Sequence, residues 1–246
     1  MTAYDIATTA QTLTGVTPPG VPQHLGIILD GNRRWARRRG LPTAADGHRT
    51  GFRKIPEVLS WCDELGIKVV TLWMLSDDNI AHRHAEEIRD LHAINERVIN
   101  ELIAFRRWRL RHVGRTELLP ARLVSLLDTA ERCSSNVRGM DVNLAIAHGG
   151  RSDIVAAMRT LAEDLRADNS IEVTEALISE RLPTAGQPDP DLVIRPSGEF
   201  RTSGFLLWQA ARAELYFCDR LWPDFSRADL LEAIEAFAHR RRRYGA

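Results

Sequence analysis

Cysteine is scarce in this chain. There are three in 246 residues, Cys62, Cys133 and Cys218. They are far apart and odd in number, so neither a disulfide framework nor a CxxC metal site is present. A reducing compartment is expected, with the cytoplasm the simplest location. No apolar run approaches the roughly 18–20 residues that span a bilayer. The first 20 residues lack a basic segment followed by an apolar run, so no signal peptide is expected. Any membrane contact is expected to be peripheral. Neither a P-loop nor a GxGxxG pattern occurs, which argues against an ordinary nucleotide cradle. Repeats and low-complexity blocks are missing too. So is net charge: Lys+Arg is 33 and Asp+Glu is 33. That balance disfavours a whole-surface polyanion binder. The runs Arg37–Arg39, Arg106-Arg107-Trp108-Arg109 and Arg240–Arg243 read as solvated faces or helix C-terminal complements, and no nucleic-acid partner is expected.

What is there suits a globular enzyme-sized domain. Hydrophobic residues are 44% and charged residues 27%, ordinary values for a chain with a core. The Thr-, Ala-, Pro- and Gly-containing stretch 1–20 reads as a mobile arm, and 21–246 as one domain. Short apolar runs predict strands at 24–29, 67–75, 140–147 and 192–194, with further candidates at 205–208 and 215–217. Helical spacing runs through Phe52, Ile55, Val58, Leu59, Cys62 and Leu65, with Gly66 as the residue past the helix end. Further helices are predicted around 88–105, after Pro120, around 154–161, and after Ser226, where Ser226 and Asp229 form a capping-box pattern. Strands alternating with helices imply an α/β fold, a central mainly parallel sheet surrounded by helices.

In such folds ligands bind beyond the carboxyl ends of strands, and unusual residues gather there. Asp30 follows the first strand, with Gly31, Asn32, Arg33 and Arg34 next. A carboxylate can hold Mg²⁺, while arginines and helix N-terminal amides hold phosphate oxygens. The same residues also suit an Asp-Gly turn with surface arginines. Ser76-Asp77-Asp78-Asn79 follows the second strand and reads as an active-site loop or a helix cap. Arg195-Pro-Ser-Gly-Glu199-Phe-Arg201-Thr-Ser203-Gly204 follows a later strand and carries the strongest phosphate signal. Each arginine group has a carboxylate nearby in sequence, Asp30 or Glu199, an arrangement that suits two diphosphates and a metal in one cleft. Trp35 beside the arginines is a candidate for substrate contact, or for packing.

Several long segments, in order, resemble the cis-prenyltransferases, the undecaprenyl diphosphate synthase family. They are His24-Leu-Gly-Ile-Ile-Leu-Asp30-Gly-Asn-Arg-Arg-Trp35-Ala36, Gly149-Gly150-Arg151, Asp191 through Arg195, Ser203 through Gln209, Ala213-Glu214-Leu-Tyr-Phe217 and Leu221 through Phe225. The likeness runs from about Pro22 to the C-terminus. Within the family the chain is most similar to the actinobacterial short-chain (Z,E)-farnesyl type. The resemblance implies a Mg²⁺-dependent, homodimeric enzyme that joins isopentenyl diphosphate to an allylic diphosphate. It makes Asp30 the metal ligand, with Glu214 helping across the dimer interface. Gly31, Asn32, Arg33 and Arg34 would line the allylic diphosphate, with His48 near it. Arg195, Arg201 and Ser203 would bind isopentenyl diphosphate, and Ser76 and Asn79 would stand beside the reacting carbons.

The chain departs from the family pattern in places. The loop usually reads Phe-Ser-x-Glu-Asn-Trp-x-Arg; here it is Leu75-Ser-Asp-Asp-Asn79-Ile80-Ala-His82, so His82 takes the arginine's position. Pro196 replaces Thr or Gly, and His148 replaces a tyrosine. These changes admit an alternative, irregular lavandulyl-type coupling of two allylic diphosphates. A non-catalytic partner subunit is a further alternative, opposed by the joint presence of Asp30, Asn32, Arg34, Arg195, Arg201 and Glu214. Met74 stands where long-chain members carry a small tunnel residue, which implies a short product, or ordinary core packing.

Overall fold

A computed structural model describes residues 20–240. The expected arm, apart from Gly20, and Arg241–Arg243 of the C-terminal basic run lie outside the described residues. Six strands form one sheet: β1 (His24–Ile28), β2 (Val69–Ser76), β3 (Arg109–Val113), β4 (Asp141–His148), β5 (Leu192–Arg195) and β6 (Glu214–Phe217). The order is β3-β4-β2-β1-β5-β6, and every pairing is parallel. All the carboxyl ends therefore lie along one edge, which the helices leave accessible.

The helices are α1 (Asn32–Arg38), α2 (Ala44–Arg53), α3 (Ile55–Glu64), α4 (Asp77–His82), α5 (Ala85–Phe105), α6 (Ala121–Ser134), α7 (Gly150–Ala167), α8 (Glu175–Ser179) and α9 (Arg227–His239). Successive strand residues point to opposite faces, and the core divides accordingly. Leu25, Ile27, Val70, Leu72, Val142 and Leu144 join the main cluster with Leu59, Leu91, Ile99, Leu123 and Leu230 from the helices. Ile28, Ala145 and Val193 join a smaller cluster on the other face with Phe205 and Leu206.

Two expectations need correction, and one strand was missed. The run 205–208 is no strand. Phe205 and Leu206 are fully buried because they cover the second face of the sheet, and Leu206 has a φ of 46°, which no strand adopts. Gly26 makes room for this: a Cβ there would lie 2.9 Å from the Phe205 ring. The single helical pattern from Phe52 to Leu65 is two helices, α2 and α3, parted at Lys54. Pro56, in the first turn of α3, has no N–H to continue α2. Finally, β3 escaped sequence reading. It is an edge strand with one neighbour, so Arg109-Leu-Arg-His-Val113 never becomes an apolar run. The Ser226–Asp229 capping box is present as expected.

A polar network is buried at the amino-terminal half of the sheet. His24 Nδ1 bonds the Pro188 carbonyl at 2.7 Å, so Nδ1 must donate and Nε2 must accept. Thr71 Oγ1 lies 2.8 Å from Nε2 and itself accepts from Asn143 Nδ2 at 2.9 Å. Every partner is satisfied only while the imidazole is neutral. Burial pushes the His24 pKa down from 6.5 to about 4, despite the Pro188 carbonyl and Asp191. A depressed folded pKa means this contribution is complete above pH 6.5 and is lost as pH falls towards 4. A drop of this size corresponds to about 3 kcal/mol. Urea denaturation at pH 7.5, 5.5 and 4.5 should therefore show falling stability, and His24→Gln should flatten that slope from a lower starting value.

Candidate active site

One cavity opens at the carboxyl ends of β1, β2 and β5. Its volume is about 240 Å³, and its wall has two characters. Asp30, Ser76, Asn79, Arg83, Arg195 and Ser203 make the polar part, while Phe52, Met74, Leu75 and Leu91 make the apolar part. The β2 contribution is unusual, because Trp73, Met74, Leu75 and Ser76 all reach it. A regular strand presents alternate residues to one face. Here the β2–β4 register shifts between Trp73 and Leu75 and again between Leu75 and Ser76. The bulge sets Met74 and Leu75 on the same face of the sheet, while Trp73 packs on the other face with Phe205.

Asp30 is the pivot of the polar part. Its Oδ1 accepts the Gly31 N–H at 2.6 Å. Its Oδ2 accepts from Arg195 Nη2 and from Ser197 Oγ, both at 2.9 Å, with Arg34 at 3.8 Å. Burial alone would raise the Asp30 pKa, but hydrogen bonds from Arg195 and Ser197 outweigh it and hold the carboxylate below its usual range. Gly31 has a φ of 105°, and a Cβ there would meet Leu221 at about 3.0 Å. Glycine is needed to turn the chain from Asp30 into α1.

Arg195 is buried, and its guanidinium is shared. Nη1 donates to the Arg201 carbonyl at 2.6 Å and to Ser203 Oγ at 2.9 Å, while Nε has no hydrogen-bond partner. Arg34 donates to the Ser197 carbonyl at 2.9 Å and lies 3.3 Å from Glu199. Arg201 pairs with the same Glu199. Ser197 belongs to the segment read from sequence as a phosphate site, though without a role of its own. Its φ of 94° marks strain of the kind stored at functional sites, and a serine between proline and glycine gave no signal of it.

A second carboxylate, Glu87 of α5, faces two arginines and the His48 imidazole, whose pKa burial pushes down. Arg83 Nη1 lies 2.9 Å away, His48 Nε2 3.5 Å and Arg33 Nε 3.6 Å. His48, Arg83 and Arg33 hold the Glu87 pKa down to about 2, against its partial burial. His48 is buried and borders the cavity; its Nε2 faces Glu87, while Nδ1 has no hydrogen-bond partner.

The remaining predicted residues fall as follows. Asn32 is buried against the cavity, its Nδ2 donating to the Leu29 carbonyl at 2.9 Å. Ser76 is both a helix cap and a wall residue: its Oγ accepts the Asn79 N–H at 2.9 Å. Met74 is buried in the wall. His82 does not border the cavity. It is exposed, with Nδ1 2.9 Å from the Asp78 carbonyl. The next residue, Arg83, ends α4 in an extended conformation and brings a guanidinium to the wall, so the fixed charge expected to be missing is supplied one position later. Trp35 also lies apart, donating to Asp224 at 2.8 Å under the Arg39 guanidinium. Glu214 is not brought to Asp30 within one chain. It pairs in register with Leu192, which pairs with Leu25, at the other end of the sheet, and it holds Arg240 at 2.6 Å. Among the described residues no three His, Cys, Asp or Glu side chains form a metal cage, and no helix is long and apolar enough to cross a membrane.

The sequence model of the family described as "Putative undecaprenyl diphosphate synthase" matches residues 28–245. Isoprenyl transferase 1 of Streptomyces avermitilis is 48% identical over 231 residues, covering 92% of this chain and 89% of the relative. A (2Z,6E)-farnesyl diphosphate synthase of Thermobifida fusca is 46% identical over 230 residues, 91% and 90% of the two chains. Among solved structures, lavandulyl diphosphate synthase from Lavandula x intermedia, in complex with dimethylallyl diphosphate, superposes with a TM-score of 0.86 at 37% identity, covering 92% of this chain and 99% of that one. The chain belongs to the undecaprenyl diphosphate synthase family and is a prenyltransferase.

Proposed function

We propose that the chain condenses isopentenyl diphosphate with an allylic diphosphate, forming a cis double bond, releasing diphosphate and yielding a short isoprenoid diphosphate. The observation that carries this is the two-part cavity: cations and hydrogen-bond donors at its polar part, methionine, leucine and phenylalanine in its apolar part. A charged head on a hydrocarbon tail fits both. Arg83, Arg33, Arg34, His48 and the amide-rich turn at Gly31 suit the allylic diphosphate, and Arg195, Arg201 and Ser203 suit the second.

Asp30 fits Mg²⁺, a hard cation that takes one or two carboxylates and fills its other positions with waters and substrate phosphates. Bound there, the ion would stabilise charge on the departing diphosphate. The arginines do the same from fixed positions. As the allylic C–O bond breaks, the electron-deficient carbon is attacked by the double bond of the second substrate. The adduct then loses a proton. A carbocation is acidic enough that a diphosphate oxygen or the Asn79 amide suffices as acceptor. Glu214, remote from Asp30 in one chain, is read as reaching the metal from a second copy, which makes the enzyme a homodimer.

The two rival readings are less favoured, since the relatives above are named as isoprenyl transferase and farnesyl diphosphate synthase. One assay separates them. Purified protein with Mg²⁺ and dimethylallyl, geranyl or farnesyl diphosphate should give product, by mass spectrometry, only when isopentenyl diphosphate is added. Product without it would point to irregular coupling, and none at all to a non-catalytic subunit.

Five variants sharpen the reading. Asp30→Ala should lower turnover at least ~100-fold, the scale of losing a charge-stabilising group. Co-expressing it with Glu214→Ala should restore activity at one of the two shared sites, whereas continued inactivity would remove Glu214 from the metal. Arg83→Gln should raise KM for the allylic diphosphate about tenfold, the scale of a lost charged hydrogen bond. His82→Gln should leave that KM nearly unchanged. Met74→Ala should shift the product distribution to longer chains, because a cavity of about 240 Å³ lies below the usual range of ligand pockets and the substitution enlarges it. An unchanged distribution would assign Met74 to packing alone.

A further inference from the structure

We propose that His148 and Asp153 form a positioning pair that sets the geometry of the loop carrying Arg195, Arg201 and Ser203, and with it affinity for the second substrate. This rests on the reading of that loop as the isopentenyl diphosphate site.

His148 ends β4 and Asp153 lies in the first turn of α7, both buried. Neither lines the cavity. The Leu206 N–H donates to His148 Nε2 at 3.1 Å. A backbone amide can only donate, so Nε2 must be unprotonated and the proton of the neutral ring must sit on Nδ1. Nδ1 lies 3.0 Å from Asp153 Oδ2, a close electrostatic contact, and neither atom has a hydrogen-bond partner. The carboxylate thus favours the tautomer that lets the ring accept from Leu206. The ring is also fixed sideways, edge-on to both Trp73 and Phe205 at 6.0 and 5.7 Å.

The loop needs such a hold. Ser203 and Leu206 have φ values of 52° and 46°, in the left-handed region that side chains other than glycine leave unless neighbours retain them. Two bonds clamp the segment between them to the β4–α7 junction. One is Leu206 N–H to His148. The other is Gly150 N–H to the Gly204 carbonyl at 3.1 Å. Gly150 is tightly fitted here, since a Cβ would lie 2.3 Å from that carbonyl oxygen. Ser203 Oγ and the Arg201 carbonyl both receive Arg195 Nη1. The chain of contacts therefore runs from Asp153 through His148 and Leu206 to the arginine pair, without either acid or imidazole touching the substrate space.

Asp153→Asn tests this. The amide is isosteric but can donate to Nδ1, which favours a proton on Nε2 and sets it against the Leu206 N–H. Steady-state kinetics should show KM for isopentenyl diphosphate raised about tenfold, with KM for the allylic diphosphate and kcat changed by no more than about twofold. Hydrogen exchange of the peptide spanning 203–209 should quicken while the rest of the chain keeps its protection. His148→Gln, whose carbonyl can take the place of Nε2, should lie closer to wild type than His148→Phe, and this pair decides the matter should Asp153→Asn fail to fold. Parallel rises in both KM values, unchanged kinetics, or unchanged exchange at 203–209 would each overturn the proposal. Should the wild-type enzyme consume no isopentenyl diphosphate, the reading of the reaction falls, and exchange at 203–209 alone decides for or against the pair.

Discussion

The ion pair between Asp30 and Arg195 joins the tips of two neighbouring parallel strands, β1 and β5. The cleft depends on it. Parallel pairing brings every carboxyl end to one edge, and a site for two polyanions there gathers cations close enough to repel. Without counter-ions, a buried guanidinium such as Arg195 would be costly. The chain supplies three. Asp30 holds Arg195 with Arg34 behind it, Glu199 holds Arg34 and Arg201, and Glu87 holds Arg83, Arg33 and His48. The balance of 33 basic and 33 acidic residues is therefore partly local, built into the site itself.

Diphosphate binding in such a site exchanges one acceptor for another. Its strength is set by how well the arginines face the ligand compared with how well they face Asp30, Glu199 and Glu87. Geometry also matters more than charge count, and the fold supplies it: a left-handed glycine at Gly31, a strained Ser197, and the β2 bulge that sets Met74 and Leu75 on one face at the cavity wall.

Much of this was legible in the sequence. Apolar runs located β1, β2, β4 and β5 closely, because central parallel strands are buried on both faces and cannot hide among polar residues. Asp30, Ser76, Asn79 and Arg195 could be placed at strand ends for the same reason. What escaped was anything decided by tertiary contact. Phe205 and Leu206 are as apolar as a strand, yet they cover the sheet instead of joining it. Arg109–Val113 is as charged as a loop, yet it pairs along β4. His82 aligned with a family arginine, while the cap geometry that turns Arg83 inward has no signature in a one-dimensional pattern. Glu214 could not be joined to Asp30 by any reading of one chain, since register separates them by the length of the sheet.

His148 shows how a departure from a family pattern can be compensated by position. In sequence it is a lost tyrosine. In the fold its ring faces a carboxylate on one side and a backbone amide on the other, with Trp73 and Phe205 against its edges. Trp73 also donates to the His148 carbonyl at 3.3 Å and itself borders the cavity. One buried residue thus touches both the β2 wall of the cavity and the loop beyond β5. The apolar segment that misled the strand assignment is the same one that this contact holds in place. Its burial anchors the loop, and its left-handed backbone lets Ser203 turn back towards Arg195.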